Sequence, residues 1–399
     1  MIKKIIAIVA VCLGTVTLSA QDKFTKSSVI KLDVAVLEKN KAILSKTNNE
    51  LLASYENLLK QAKKSLEFKP VSVMDKVDVP PSGDKHDYMS IAPYWWPDPS
   101  KPNGVPYMRK DGEVNPEVKN YSDKDNMPKM CEHIYVLGLA YYYSNDEQYA
   151  KHASELIKVW FLNSATKMNP NANFGQAVKG RSEGRGEGVL DTRHFIFVID
   201  AVSLLKNSKS WSTQNTTDLK KWFSDYLHWM QSSVIGIEER DAKNNHGIWY
   251  DAQALAYALF TDNKAVANET VTRAAARLDK EMDDKGFFPY ELQRTTSMGY
   301  SVFILNAFNV IAELSTQTDL NLWKFTTPSG KSLQKGFDAM LPYLSKKQAW
   351  TGQQIKPFTY GDAVPLLWKA ISHYDCKSCT NAIKEITGDA YKGLLINLL

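Results

Sequence analysis

The sequence predicts an all-α protein, an incomplete (α/α) toroid built from helical hairpins with long lid loops. Two observations carry that prediction. Apolar residues recur at three, four or seven residue spacings over most of the chain, and almost no segment alternates apolar with polar residues as a half-buried strand would. The helical stretches, about ten of them, follow one another through connections that contain polar residues or glycine, so consecutive helices fold back as hairpins. At 399 residues such hairpins pack naturally into a ring. A helical-repeat solenoid is the alternative, and no fixed period supports it.

Residues 1–20 stand outside this fold. Lys3 and Lys4 precede an apolar run from Ile5 to about Val16, followed by small or polar residues up to Ala20. That is the layout of a secretory signal peptide, and the run is too short to span a bilayer. Cleavage after Ser19 or Ala20 leaves residues 21–399 as a single domain. Cys12 lies inside the run without the small residues of a lipoprotein cleavage box. The expectation is a periplasmic or secreted monomer with no membrane anchor.

The mature chain opens with one or two amphipathic helices in Leu32–Leu66, carried by Leu37, Leu44, Leu51, Leu52, Leu58 and Leu59. Residues 71–128, rich in proline and aromatics, are too long and irregular for an ordinary connection and are expected to form a lid or substrate loop. Helices resume at Met130–Tyr143 and, after Ser144-Asn145-Asp146, at Glu147–Phe161, an αα-hairpin. The same spacing predicts helices at about Val189–Leu205, Thr217–Ser233, Ile248–Phe260, Lys264–Met282, Ser297–Leu314, Leu333–Leu344, Gly361–Ile371 and Thr380–Leu398.

Composition narrows the function. The chain is 44% hydrophobic and 23% charged, which excludes a disordered or fibrous protein. Its 49 Lys and Arg against 44 Asp and Glu give +5, and loss of Lys3 and Lys4 with the leader lowers this to +3. A balance so near neutral does not suggest nucleic acid, while a locally basic cleft for an acidic polymer remains open. Ten Trp, 19 Tyr and 15 Phe exceed what a core requires, and flat rings suit sugars. Cys131, Cys376 and Cys379 survive export. The last two form a CxxC that closes as a local disulfide or stays reduced. Zinc would need two further ligands and only His373 is near, so no metal is expected.

Four clusters hold residues that carry chemistry. Asn244-Asn245-His246 opens the helix that continues through Trp249 and Tyr250. A helix start offers free N–H groups to a carboxylate, and His246, Tyr250 and Gln253 fall on one face. Around Glu291, Arg294 sits just before a helix and Tyr300 in its first turns, with Thr295 to Ser297 as capping candidates. Within the lid, Tyr94, Trp95 and Trp96 are fenced by Pro93 and Pro97; two adjacent Trp cannot both enter one small core, so at least one ring should line a groove. The stretch from Asn171 to His194 brings Gln176, Arg185, Arg193 and His194 among glycines. It lacks the Gly-Lys-Ser/Thr ending of a phosphate loop and follows no predicted strand, so its donors fit hydroxyls and carboxylates better. No GxSxG elbow supports a serine hydrolase.

Taken together, Asn244-Asn245-His246, the Arg294 to Tyr300 segment and Tyr94-Trp95-Trp96-Pro97 resemble the alginate lyase family of α/α-toroid polysaccharide lyases, over about Val71 to Ser372. The likeness is to the branch of secreted gut-bacterial uronan lyases with a long N-terminal lid. The better-known branch has a Tyr-His-Asn-Tyr run where this chain has Tyr300-Ser301-Val302-Phe303. The resemblance implies β-elimination of a 4-linked uronic acid polymer, alginate foremost, with no cofactor. Asn245, with His246 or Arg294, would neutralise the substrate carboxylate, and Tyr300 would move the proton. A free Tyr titrates near ~10, and Arg294 beside it is expected to lower that value. On mannuronate Tyr300 would be both base and acid; on guluronate His246 would be the base. Tyr94, Trp95, Trp96, Gln176, Arg185, Arg193, His194 and Tyr250 would bind sugar. The alternatives are a glucuronan or other uronan lyase, an unsaturated-uronyl hydrolase on the same fold using Asp or Glu, and a non-catalytic glycan-binding protein.

Overall fold

A helix that is apolar on nearly every side must be buried on every side, and helices of that kind form the inner layer of this protein. The computed structural model describes residues 31–46 and 50–399; the signal peptide expected at residues 1–20 lies outside them. The inner helices are α3 (Ser122–Ser144), α5 (Phe195–Leu204), α8 (Asn245–Phe260), α11 (Ser297–Ser315) and α13 (Val364–Tyr374), each touching the next. Every residue of α8 except His246 and Leu259 is buried. By length and hydropathy α11 would pass for a membrane span, yet it is an inner helix of the ring. Outside these lie α1 (Val34–Leu44), α2 (Leu52–Ser65) and α4 (Glu147–Ile157) near α3, α6 (Thr213–Ser232) and α9 (Lys264–Glu281) against α8, α12 (Leu333–Leu344) on α11 and α14 (Lys377–Thr387) on α13. Two short helices, α7 (Val234–Arg240) and α10 (Pro289–Leu292), feed into α8 and α11. The result is the α/α toroid that the spacing predicts.

Where inner helices meet, side-chain size decides their separation. A Cβ on Gly138 of α3 would lie 3.1 Å from Ala201 Cα and 3.0 Å from its Cβ, so α3 and α5 approach closely only because one position has no side chain.

Several boundaries depart from the expectation, among them the start of the helix expected at Val189, where Gly186–His194 is 3₁₀ and the α-helix begins only at Phe195. Helix α3 starts at Ser122, inside the segment assigned to the lid, and runs through Pro128. One missing N–H bond near the front of a 23-residue helix is tolerated when most of its length is packed. The seven-residue α7, capped by Ser233 accepting from Gly236 N–H, falls in a stretch where no helix was expected. The last predicted helix ends at Thr387, and two 3₁₀ turns carry the chain back onto α2, where Ser54 and Asn57 donate to Lys392 and Gly393 carbonyls at 2.8 and 2.7 Å.

The lid is also more regular than its composition suggests. Strand β1 (Met89–Ile91) pairs in parallel with β4 (Phe174–Ala177), and β2 (Trp95–Trp96) pairs antiparallel with β3 (Met108–Arg109). The first pairing ties the lid to the Asn171–His194 stretch, and the second closes the lid on itself. Cys376 and Cys379 form a disulfide at the start of α14, and Cys131 is a buried free thiol.

Candidate active site

The lid, the 171–194 stretch and the starts of α8 and α11 converge at one end of the ring. On a continuous helix Arg294 and Tyr300 would diverge, but they sit across the turn between α10 and α11. That turn is pinned from outside: Ser297 N–H donates to Gln353 O at 2.9 Å and Ile355 N–H to Thr295 O at 2.9 Å. Arg294 therefore folds back over the ring of Tyr300, with Cζ 3.6 Å from the centroid and Nη2 donating to the phenolic oxygen at 2.7 Å. The lid completes the arrangement. Tyr300 donates to Tyr94 Oη at 2.9 Å, and Asp111 accepts from Arg294 Nε at 3.1 Å and Nη2 at 2.7 Å. Burial raises the pKa of Tyr300, Tyr94 adds to the rise, and the charge of Arg294 only partly opposes them. The sequence-based expectation that Arg294 lowers it is thus reversed on balance, because the ring is enclosed and Asp111 already neutralises the guanidinium.

At the start of α8 the polar residues turn inward. Asn245 is fully buried, its backbone N–H donating to Glu291 Oε1 at 2.7 Å and its Nδ2 to both oxygens of that carboxylate at 3.1 and 2.9 Å. The anion at this helix start is thus the protein's own Glu291, and the amide donors of Asn245 are engaged there rather than facing a substrate. His246 is the residue left facing outward. Its Nδ1 lies 2.7 Å from Oε1 of Glu239, the geometry of a ring N–H donating to a carboxylate, and its Nε2 has no partner among the described residues. Burial alone would lower the pKa of His246, but the charge and hydrogen bond of Glu239 and the charge of Glu187 raise it. His246 is held toward imidazolium.

The remaining residues of the expected site divide. Tyr250 is 1% exposed and donates to Met230 O at 3.1 Å, and Gln253 bonds Thr192 and Tyr257. Sharing a helix face with His246 did not bring them to the groove, because only the first turn of α8 reaches it; Tyr250 is a core residue. Gln176, 5% exposed at φ 50°, donates to Asp191 Oδ1 at 3.0 Å and holds Arg185 Nη2 at 3.3 Å. Gln176 thus fastens the loop. Trp95 packs on Ala92, Tyr107 and Val178, with the guanidinium groups of Arg181 and Arg185 5.2 and 5.8 Å from its centroid, while Trp96 Nε1 donates to Glu113 O at 2.9 Å. Arg193 lies 5.6 Å from the Phe303 centroid, one helical turn beyond Tyr300, and burial lowers its pKa to about 10. Burial, then Arg193 and Lys124, push His194 down to about 3, so it is a neutral ring. The glycines of this stretch serve close packing: a Cβ on Gly188 would come 2.5 Å from Gly175 O. The groove is thus walled by cations and holds the paired phenols of Tyr300 and Tyr94 near a His246 drawn toward imidazolium, a surface suited to an anionic polymer.

The alginate lyase family model matches residues 72–350. The chain belongs to the alginate lyase family. Among solved structures it is similar to an alginate lyase from Bacteroides ovatus, 37% identical with a TM-score of 0.86, over 93% of this chain and 98% of the other. It is also similar in fold to alginate lyase A1-III from Sphingomonas species A1, at 15% identity and a TM-score of 0.59 over 95% and 97% of the two chains. A His→Ala variant of alginate lyase A1-III complexed with tetrasaccharide gives 16% and 0.57, over 90% and 91%. Comparison with curated proteins gives no match. The protein is a polysaccharide lyase, and its substrate is an acidic polysaccharide.

Four residues around the groove of this alginate lyase family member were given no role on sequence: Asp111, Lys124, Glu239 and Glu291. Lys124, on the first turn of α3 and ion-paired with Asp191, keeps 27% of its side chain exposed. Glu291 precedes Arg294 by three residues and stood inside a noted cluster, so a search for counter-charges beside the cationic motif would have found it. Glu239 and Asp111 reach their partners only through the fold, across the α7–α8 corner and across the lid.

Proposed function

We propose that this lyase is an exported enzyme that cleaves alginate by β-elimination, acting on mannuronate in a syn reaction. The observation that carries this reading is the division of charge between His246 and Tyr300. Eliminating a 4-linked uronate requires loss of the weakly acidic C5 proton, and neutralising the C6 carboxylate makes that proton more acidic. His246, drawn toward imidazolium by Glu239 and with no partner on Nε2 among the described residues, supplies the neutralising donor. Drawn toward imidazolium, His246 is better suited to be that donor than the opposite-face base that anti elimination from guluronate would need.

Tyr300 then handles both protons. Its phenolate, a minor form because burial raises the Tyr300 pKa, arises by loss of the phenolic proton to solvent; held by Arg294 Nη2, it takes the proton from C5. The resulting phenol donates the same proton to O4 as the C4–O4 bond breaks, leaving a C4–C5 double bond and regenerating the phenolate. In mannuronate C5–H and O4 lie on one face, within reach of one oxygen. The cycle uses side chains alone. The working form pairs a Tyr300 phenolate with a His246 imidazolium, and because burial holds Tyr300 far above His246, the bell in kcat/KM rises up to the His246 pKa and falls over that of Tyr300. Export rests on the Lys3–Ala20 leader pattern, and the Cys376–Cys379 disulfide fits an oxidising compartment.

The test is a panel of polymannuronate, polyguluronate and glucuronan incubated with the mature chain, followed by near-ultraviolet absorbance of the new double bond and by product mass. Polymannuronate should be cleaved fastest, with unsaturated ends. Faster cleavage of polyguluronate would overturn the syn assignment, and saturated products would make the enzyme a hydrolase.

A further inference from the structure

The lid meets the proton-transfer pair through one carboxylate. Asp111 follows β3, and Gly112 after it takes a φ of 77°; a Cβ there would fall 2.4 Å from Thr295 Oγ1, so the lid backbone lies directly on the turn before α11. Asp111 accepts from Arg294 Nε and Nη2 at 3.1 and 2.7 Å, from Thr295 N–H at 3.2 Å and from Thr295 Oγ1 at 3.1 Å. Lys356 Nζ donates to Gly112 O at 2.7 Å and Arg109 Nη2 to Asp111 Oδ1 at 2.8 Å. The same Nη2 of Arg294 that Asp111 holds is the one that reaches Tyr300.

We propose that Asp111 is a positioning residue, a latch on the lid that sets the Arg294 guanidinium against the Tyr300 hydroxyl, so that lid closure completes the proton-transfer pair. The idea rests on the reading of Tyr300 as the proton-transfer group. A two-point carboxylate contact fixes the guanidinium plane, which a single hydrogen bond to a phenol cannot do. Burial would raise the Asp111 pKa, but the Arg294 hydrogen bond, the Thr295 N–H and the charges of Arg294 and Arg109 hold it down to about 2, so the latch stays charged at working pH. The titratable and charged groups facing the pair are Tyr94, Arg109 and Asp111 from the lid, Glu291 from α10 and His246 from α8.

Asp111→Asn keeps the shape and removes the charge. The expected result is a fall in kcat of roughly 10- to 100-fold with KM changed by less than about threefold, the pattern of lost orientation in the chemical step. The descending limb of kcat/KM should move to lower pH, because Arg294 is no longer balanced and favours the phenolate beside it. Hydrogen exchange at residues 108–112 and 293–296 should quicken. Asp111→Glu, which keeps the charge on a longer arm, should return the limb and part of kcat. Unchanged kcat in Asp111→Asn, or a rise in KM alone, would overturn the proposal and leave the lid a substrate cover; faster exchange with normal kcat and pH limb would make the contact structural only. If the wild type releases no unsaturated product from any uronan while exchange still quickens in Asp111→Asn, the lyase reading of Tyr300 fails and the mechanical latch remains.

Discussion

The starts of α8 and α11 are built from the same kind of sequence, a polar cluster running into an apolar helix, and they end in different states. At α8 the counter-charges come from the helical body: Glu291 takes the donors of Asn245, and Glu239 takes Nδ1 of His246. At α11 the counter-charge comes from the lid, where Asp111 holds Arg294 and Tyr94 meets Tyr300. One helix start is therefore set whether or not the lid is closed, and the other is completed by it. A carboxylate-neutralising group can be preset because substrate always brings its charge. A phenol that must both lose and return a proton is tuned by whatever encloses it.

The largest effect that tests this contrast is at α11. Tyr300→Phe removes one hydroxyl and two hydrogen bonds, so turnover should fall by at least ~10²-fold while the melting temperature stays near wild type. Normal turnover in that variant would move proton transfer elsewhere and leave α11 with no special role. The second effect is at α8. Glu239→Gln removes the charge that keeps the His246 pKa raised, and burial, which lowers it, then dominates. The imidazolium is lost at a lower pH, so the ascending limb of kcat/KM should level off at lower pH, with roughly tenfold lower activity at neutral pH and a gap to wild type that closes on acidification. An unmoved limb would mean that His246 is not the titrating cation. The smallest effect is one turn deeper: Tyr250→Phe should cost about 1 kcal/mol of stability through its lost bond to Met230 O and leave kcat within about twofold. A large kcat loss there would show that the inner turns of α8 do reach the groove.

Periodicity alone placed the helices that matter. The predicted Leu333–Leu344 coincides with α12, and the predicted Ile248–Phe260 and Ser297–Leu314 fall within α8 and α11. Residue type and spacing also marked His246, Arg294, Tyr300 and Tyr94, and the structure brings Arg294, Tyr300 and Tyr94 into direct contact. What misled was the extension of a local rule. Tyr250 shares a helix face with His246, but the face enters the core after one turn. Trp95, expected to bind sugar, has the guanidinium groups of Arg181 and Arg185 5.2 and 5.8 Å from its ring, neighbours that local spacing does not reveal.

The sequence by itself determined the hairpin order, the all-α class and the polar clusters, because apolar spacing and capping act over a few residues and do not depend on distant partners. Only the tertiary structure decided which counter-charge faces each group and in which direction its pKa moves. Asp111 is 183 residues from Arg294, Glu291 is 46 from Asn245, and Glu239 reaches His246 from another helix. Burial and Coulomb interactions depend on distance in space, and at those separations in the chain nothing local encodes it.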